Sequence, residues 1–188
     1  MKIDTKLSAE PTPNPRTMKF IADRIIASEN AEMRTSLEAS RSPLATKLFG
    51  FPWLESVYVG SNFVSVTKQD WVDWDVLAEP LLGLIKEHID EGVPVLLASE
   101  GGPAKASAAN ASDSPIVQKI KEVIENEVRP AVAMDGGDIE FERYEDGKVY
   151  LQMKGACSGC PSSAMTLKMG IETRLKEAVP EITEVVSV

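Results

Sequence analysis

Two cysteines in 188 residues, Cys157 and Cys160, stand three apart in Gly155-Ala156-Cys157-Ser158-Gly159-Cys160-Pro161-Ser162-Ser163, and nothing else in the chain has comparable reactivity. Small residues beside and between the thiols leave room for a bulky inorganic ligand, and the glycines let backbone N–H groups turn toward negatively charged sulfur. Pro161 suits the first position of a helix. That puts Cys160 at a helix N-terminus, where the positive end of the dipole lowers a thiol pKa and favours the metal-binding thiolate. The residues alone leave several chemistries open: a soft-metal or cluster site, a zinc site, a dithiol redox pair, or a structural accident. Zinc takes four ligands and one chain offers two, so it would need a second chain. Redox motifs share the strand-to-helix setting, although the surrounding topology is too small for a thioredoxin-like fold. A disulfide staple is the weakest reading, because so small a ring constrains the unfolded chain little.

Other reactive types carry less. His88, the one histidine, falls a turn after Leu84 on a helix and reads as packed or partly exposed rather than as a ligand. Asp70, Asp73 and Asp75 lack the glycine and terminal glutamate of a calcium loop and read as helix-capping charges. Gly101-Gly102-Pro103-Ala104-Lys105 lacks the spacing of a phosphate loop and reads as linker. Trp53, Trp71 and Trp74 lie within 22 residues; core packing is the expectation, with a partner surface as the alternative.

The elements that must position the thiols follow from periodicity. Residues 1–16 end in Glu10-Pro11-Thr12-Pro13-Asn14-Pro15, whose prolines forbid a helix and predict an extended lead-in. Thr17–Ile21 alternates as a strand, with Ile25-Ile26-Ala27 as its expected partner, and 28–41 reads as loop or irregular helix. Ser42-Pro43 caps a short helix that Gly50 and Pro52 end. A hairpin turning at Gly60-Ser61-Asn62 follows, and then a helix from Asp73 to Gly92 through Leu77, Leu81, Leu84, Ile85 and Ile89.

Residues 98–113 contain no leucine, isoleucine, valine or aromatic residue, so they read as a flexible linker with a root-mean-square span of roughly 20–25 Å. After it, Ser114-Pro115 starts a helix through Ile116, Ile120, Val123, Ile124 and Val128 that is predicted to end near Arg129-Pro130. Asp135-Gly136-Gly137 then turns into a strand. Asp146-Gly147 makes a hairpin into Val149, Leu151 and Met153, which runs straight into the cysteine loop. The helix after Pro161 keeps Ala164, Leu167, Ile171, Leu175 and Ala178 on one face, and 182–188 reads as a last strand. The predicted class is α+β: two small α/β domains, 1–97 and 114–188, joined by a flexible linker at 98–113, the carboxy-terminal domain being α-β-β-α-β.

Composition limits the function. A net charge of −9, with 11 basic and 15 acidic residues in 1–111 and 9 and 14 in 112–188, offers no basic stripe and argues against nucleic-acid binding. Met1-Lys2-Ile3-Asp4-Thr5-Lys6 has no apolar core, and no stretch approaches the ~20 apolar residues of a membrane span. The expectation is a soluble intracellular protein, without membrane partners, in a reducing compartment.

Met134-Asp135-Gly136-Gly137-Asp138, the nine residues from Gly155 to Ser163, Thr166-Leu167-Lys168 and Gly170-Ile171-Glu172 together closely resemble the Nfu-type domain found at the carboxy end of NifU proteins. Thr12-Pro13-Asn14-Pro15, Ser42-Pro43-Leu44-Ala45 and Asp73-Trp74 resemble the amino-terminal domain that accompanies it in mitochondrial-type Nfu proteins. The resemblance covers residues 10–97 and 112–188. It implies an iron–sulfur cluster carrier or late scaffold rather than an enzyme, with Cys157 and Cys160 as cluster ligands. It further implies a homodimer on cluster binding, a [4Fe–4S] cluster shared between two chains, with [2Fe–2S] meeting the same four-thiolate count, and handover to recipient apo iron–sulfur proteins. Upstream cluster assembly proteins would supply it, since the chain lacks the further cysteines of an assembly domain. The setting implied is bacterial cytoplasm, or the mitochondrial matrix for a processed form. The alternative from another class is a dithiol oxidoreductase.

Overall fold

The computed structural model describes residues 4–97, 114–158 and 161–188, the last with backbone alone over 161–164. They fall into two separate compact units, one on each side of the 98–113 stretch, which itself lies outside the described residues together with Gly101–Lys105. Helices and sheets are present in both.

The first unit is a five-stranded antiparallel sheet in the order β1-β2-β5-β4-β3. Its strands are β1 (Leu7–Pro11), β2 (Thr17–Ala22), β3 (Ala31–Met33), β4 (Leu54–Val59) and β5 (Phe63–Lys68). Alternation puts Phe20, Val57, Val59, Val64 and Val66 on one face. Helices α1 (Pro43–Leu48) and α2 (Trp74–Asp90) complete that core with Leu44, Leu48, Leu77, Leu81 and Ile85. The hairpin between β4 and β5 turns at Gly60–Asn62 as its residue types predict, and Ser42 caps α1 by accepting from the Ala45 N–H at 3.0 Å.

The lead-in is extended, as expected, and two other expectations fail here. The proline-rich lead-in is an edge strand, β1, paired with β2 from Leu7↔Ala22 to Pro11↔Met18; proline is tolerated at the end of an edge strand because its missing donor faces no neighbour. Ile25–Ala27 forms no strand, and Ile25 is exposed, since β1 and β5 already flank β2. The 28–41 stretch contains β3 and a 3₁₀ turn at Glu38–Arg41 rather than loop or irregular helix throughout.

In the second unit α3 (Pro115–Val123) passes through a π-helical turn at Ile124–Val128 into α4 (Arg129–Met134). The helix therefore continues through Pro130, where it was expected to stop. A proline ring collides with the carbonyl four residues back, here that of Asn126, and widening the preceding turn makes room for it. Strands β6 (Gly137–Glu145) and β7 (Lys148–Gly155) form a hairpin whose turn residues Asp146 and Gly147 both have positive φ, 49° and 76°. Helix α5 (Pro161–Ala178) then crosses over to β8 (Glu184–Ser187), which lies parallel to β7. Ile171 and Leu175 of α5 pack with Ile120, Ile124, Val132, Ile139, Leu151 and Val185, and Leu167 and Ala178 border that core as predicted. The Ala164 side chain lies outside the description.

Candidate metal centre

Strand β7 delivers the cysteine loop. It ends at Gly155, whose φ of 64° suits a residue without Cβ. The Ala156 N–H donates to the Gly136 carbonyl at 3.2 Å, and both the N–H and hydroxyl of Ser158 donate to the Gly155 carbonyl, at 3.1 and 2.8 Å. These bonds fold 155–158 back over the Gly136–Gly137 turn and point Cys157 inward.

Cys157 is accordingly 4% exposed and belongs to the apolar core of the second unit. The register Gly137↔Gly155 explains how it fits: a Cβ on Gly137 would collide with Cys157 Sγ and stand 2.8 Å from the Lys154 carbonyl oxygen. Gly137 is a space for sulfur. Burial, then the nearby Asp135 and Asp138 carboxylates, push the Cys157 thiol up to about 12. Cys157 thus sits in a turn and in the core at once. Cys160 and Gly159 lie outside the described residues, and with them the expected dipole effect on the Cys160 thiol.

Asp138, 7% exposed, is held by charge and geometry. Its Oδ1 lies 3.0 Å from Arg129 Nε and accepts from the Ile139 N–H at 2.8 Å. Arg129 also pairs with Glu125 at 2.7 Å and donates to the Ile139 carbonyl at 3.0 Å, tying α4 to the start of β6. The residues fit a soft ligand in donor type, because thiolate is what iron and zinc take. For Cys157 to bind, its proton must leave and the sulfur must turn from the core toward an outside partner.

Arg129 and Gly137 were missed as site residues. A signal existed for Gly137, since one glycine suffices for the turn at Gly136 (φ 78°) and a second implies a close approach. None existed for Arg129, whose partners Asp138 and Ile139 are brought to it by the tertiary fold.

The remaining candidates lie in the first unit. His88 is fully buried, with Nε2 3.2 Å from the Pro94 carbonyl oxygen, and is core as expected. Asp73 occupies the N-cap position of α2 but its side chain makes no capping bond, and Asp70 lies 3.8 Å from Arg16. Among the described residues no group of three His, Cys, Asp or Glu is arranged to hold a metal ion. Trp53 is buried and Trp74 half-buried, but Trp71 is 68% exposed, against the core expectation. No helix among the described residues is long and apolar enough to cross a membrane.

Residues 120–186 match the family model for the NifU-like domain, and residues 7–92 match that for the scaffold protein Nfu/NifU N terminal. The chain is 40% identical over 179 residues to NifU-like protein 5, mitochondrial, of Arabidopsis thaliana, covering 94% of this chain and 65% of that one. With NFU1 iron-sulfur cluster scaffold homolog, mitochondrial, of Homo sapiens it shares 36% identity over 178 residues, covering 94% of this chain and 69% of that one. It thus spans a little under two thirds of the length of the plant relative.

Proposed function

The chain belongs to the NifU-like family, and from that premise we propose that it holds an iron–sulfur cluster on Cys157 and Cys160 and passes it to recipient apoproteins. The observation that carries the reading is Cys157 at the strand-to-helix junction of β7 and α5, inside the matched NifU-like region, with Gly137 and Gly155 shaping the loop around its sulfur. The cluster is cargo, so its ligands need to release it.

Four thiolates commonly complete a [4Fe–4S] or [2Fe–2S] cluster, and each chain offers two, so two chains share one cluster. We take [4Fe–4S] as the nuclearity. A cluster between two short loops is open to attack by a recipient's thiolates, which replace Cys157 and Cys160 in turn. Upstream assembly proteins supply it, in the bacterial cytoplasm or a mitochondrial matrix. The dithiol oxidoreductase alternative instead requires Cys157 and Cys160 to cycle between thiol and disulfide with no metal bound.

Anaerobic reconstitution with iron and sulfide, followed by light scattering, metal and sulfide analysis and Mössbauer spectroscopy, tests the proposal. The expected product is a dimer with four irons and four sulfides per two chains. A loaded monomer with a full cluster would defeat the shared-cluster arrangement, and disulfide reductase turnover in metal-free protein would replace the carrier reading with the redox one.

A further inference from the structure

The three tryptophans of the first unit meet three different ends. Trp53 is buried and stacks on Phe51, with ring centroids 5.2 Å apart. Trp74 is half-buried; its Nε1–H donates to the Pro15 carbonyl at 3.0 Å and Lys68 stands 5.8 Å above its ring. Trp71, between them, is 68% exposed. All three gather at one end of the five-stranded sheet, where β4 and α2 begin and β2 and β5 meet at Thr17↔Thr67. The Gln69 N–H donates to the Trp53 carbonyl at 2.8 Å, and two residues of chain place the Trp71 Cα within about 7 Å of Gln69.

The exposed residues near this end of the sheet are apolar and acidic. Phe51 is 38% exposed and Val76, in the first turn of α2, is 68% exposed. With Trp71 they leave three apolar side chains open to solvent near this end, and a tryptophan offers the largest apolar contact surface of any side chain. Residues 69–85 contain four carboxylates, Asp70, Asp73, Asp75 and Glu79, all exposed, and no lysine or arginine. The two nearby cations are turned to other tasks: Arg16 pairs with Glu55 at 2.5 Å and reaches Asp70 at 3.8 Å, and Lys68 is 6% exposed against Trp74. An exposed tryptophan with Asp70 and Asp73 close to it in the chain, and with Asp75 and Glu79 following on α2, is complementary to a cationic segment that carries an apolar anchor side chain.

We infer that the Trp71 end of the first domain docks a basic, amphipathic segment of a partner protein, with Trp71 as the anchor and Asp70, Asp73, Asp75 and Glu79 as the steering charges. The site is remote in sequence from the cysteine loop and holds whether or not the chain carries a cluster. A patch this small gives micromolar, salt-sensitive binding, suited to a transient partner.

The probe is a fluorescein-labelled 16-residue amphipathic peptide of leucine and lysine, titrated with the full chain and followed by anisotropy, beside a leucine–glutamate peptide of the same pattern. The lysine peptide is expected to bind, the glutamate peptide not. Trp71→Ala and the double variant Asp70→Lys/Asp73→Lys should each weaken binding at least fivefold, with unchanged circular dichroism since these side chains are exposed. Rising salt should weaken binding by the wild-type chain more steeply than by the double variant. Equal binding of both peptides, no binding, or affinity unchanged in Trp71→Ala would overturn the inference. So would self-association of the free chain that Trp71→Ala abolishes, which would make a second copy the occupant.

Discussion

Cys157 and Gly137 form a matched pair in which the absence of one side chain makes space for another. Cys157→Ser should lower cluster uptake in anaerobic reconstitution to a small fraction of the wild-type complement. The hydroxyl it places in an apolar pocket costs about 1–2 kcal/mol, so urea denaturation should still show a folded second domain. A serine variant with a full complement of cluster would remove Cys157 from the ligand set. His88 supplies a pH prediction in the first domain. Burial holds it below its ordinary value of 6.5, Lys47 adding to that effect while the Pro94 carbonyl and Glu91 oppose it, and its buried Nδ1 has no hydrogen-bond partner. A histidine depressed in the folded state takes up its proton first in the unfolded chain, so its stability contribution is complete above pH 6.5 and declines as pH falls below it. Urea midpoints measured from pH 7.5 to 5 should drop on the acid side in the wild type and drop less in His88→Gln.

At the scale of elements, the π turn at Ile124–Val128 and the arginine that follows it decide how the helical layer meets β6. Arg129 joins Glu125, Asp138 and the Ile139 carbonyl, and Asp138 is nearly buried. Arg129→Met keeps the length of the side chain but leaves Asp138 without its counter-charge. The expected loss is on the order of 2–3 kcal/mol by chemical denaturation of the second domain, with Asp138→Asn in the same background recovering part of it. No recovery in the double variant would mean that packing rather than charge makes Arg129 matter. In the same helical layer Glu172 joins α5 to β8, accepting from Lys176 at 2.5 Å and from the Val185 N–H at 3.1 Å. The crossover that carries the cysteine loop is therefore tied at its far end as well.

The whole molecule is two units with separate cores, and all the cysteine lies in the second. Residues 114–188 alone should take up cluster to the same stoichiometry per dimer as the full chain, and residues 1–97 should take up none. Uptake by the second unit that needs the first would end this division of labour. The chain's net charge of −9 works against close approach of two copies, so loading at low ionic strength should give less dimer than loading at 0.15 M salt, read by light scattering.

Much of this protein is legible one residue at a time along the chain. The C-x-x-C loop, the Ser42-Pro43 and Ser114-Pro115 helix starts, the Asp146-Gly147 turn and the apolar stripe through Ile171 and Leu175 are local signals, because backbone sterics and periodicity act over a few residues. Only the tertiary structure decided the rest. The proline-rich lead-in became strand β1 because β2 offers it an edge, and α3 ran on through Pro130 because its preceding turn widened. Trp71 stayed outside while Trp53 and Trp74 went in. Cys157 turned into the core because Gly137, twenty residues earlier in the chain, leaves its sulfur a place, a contact no short-range pattern records.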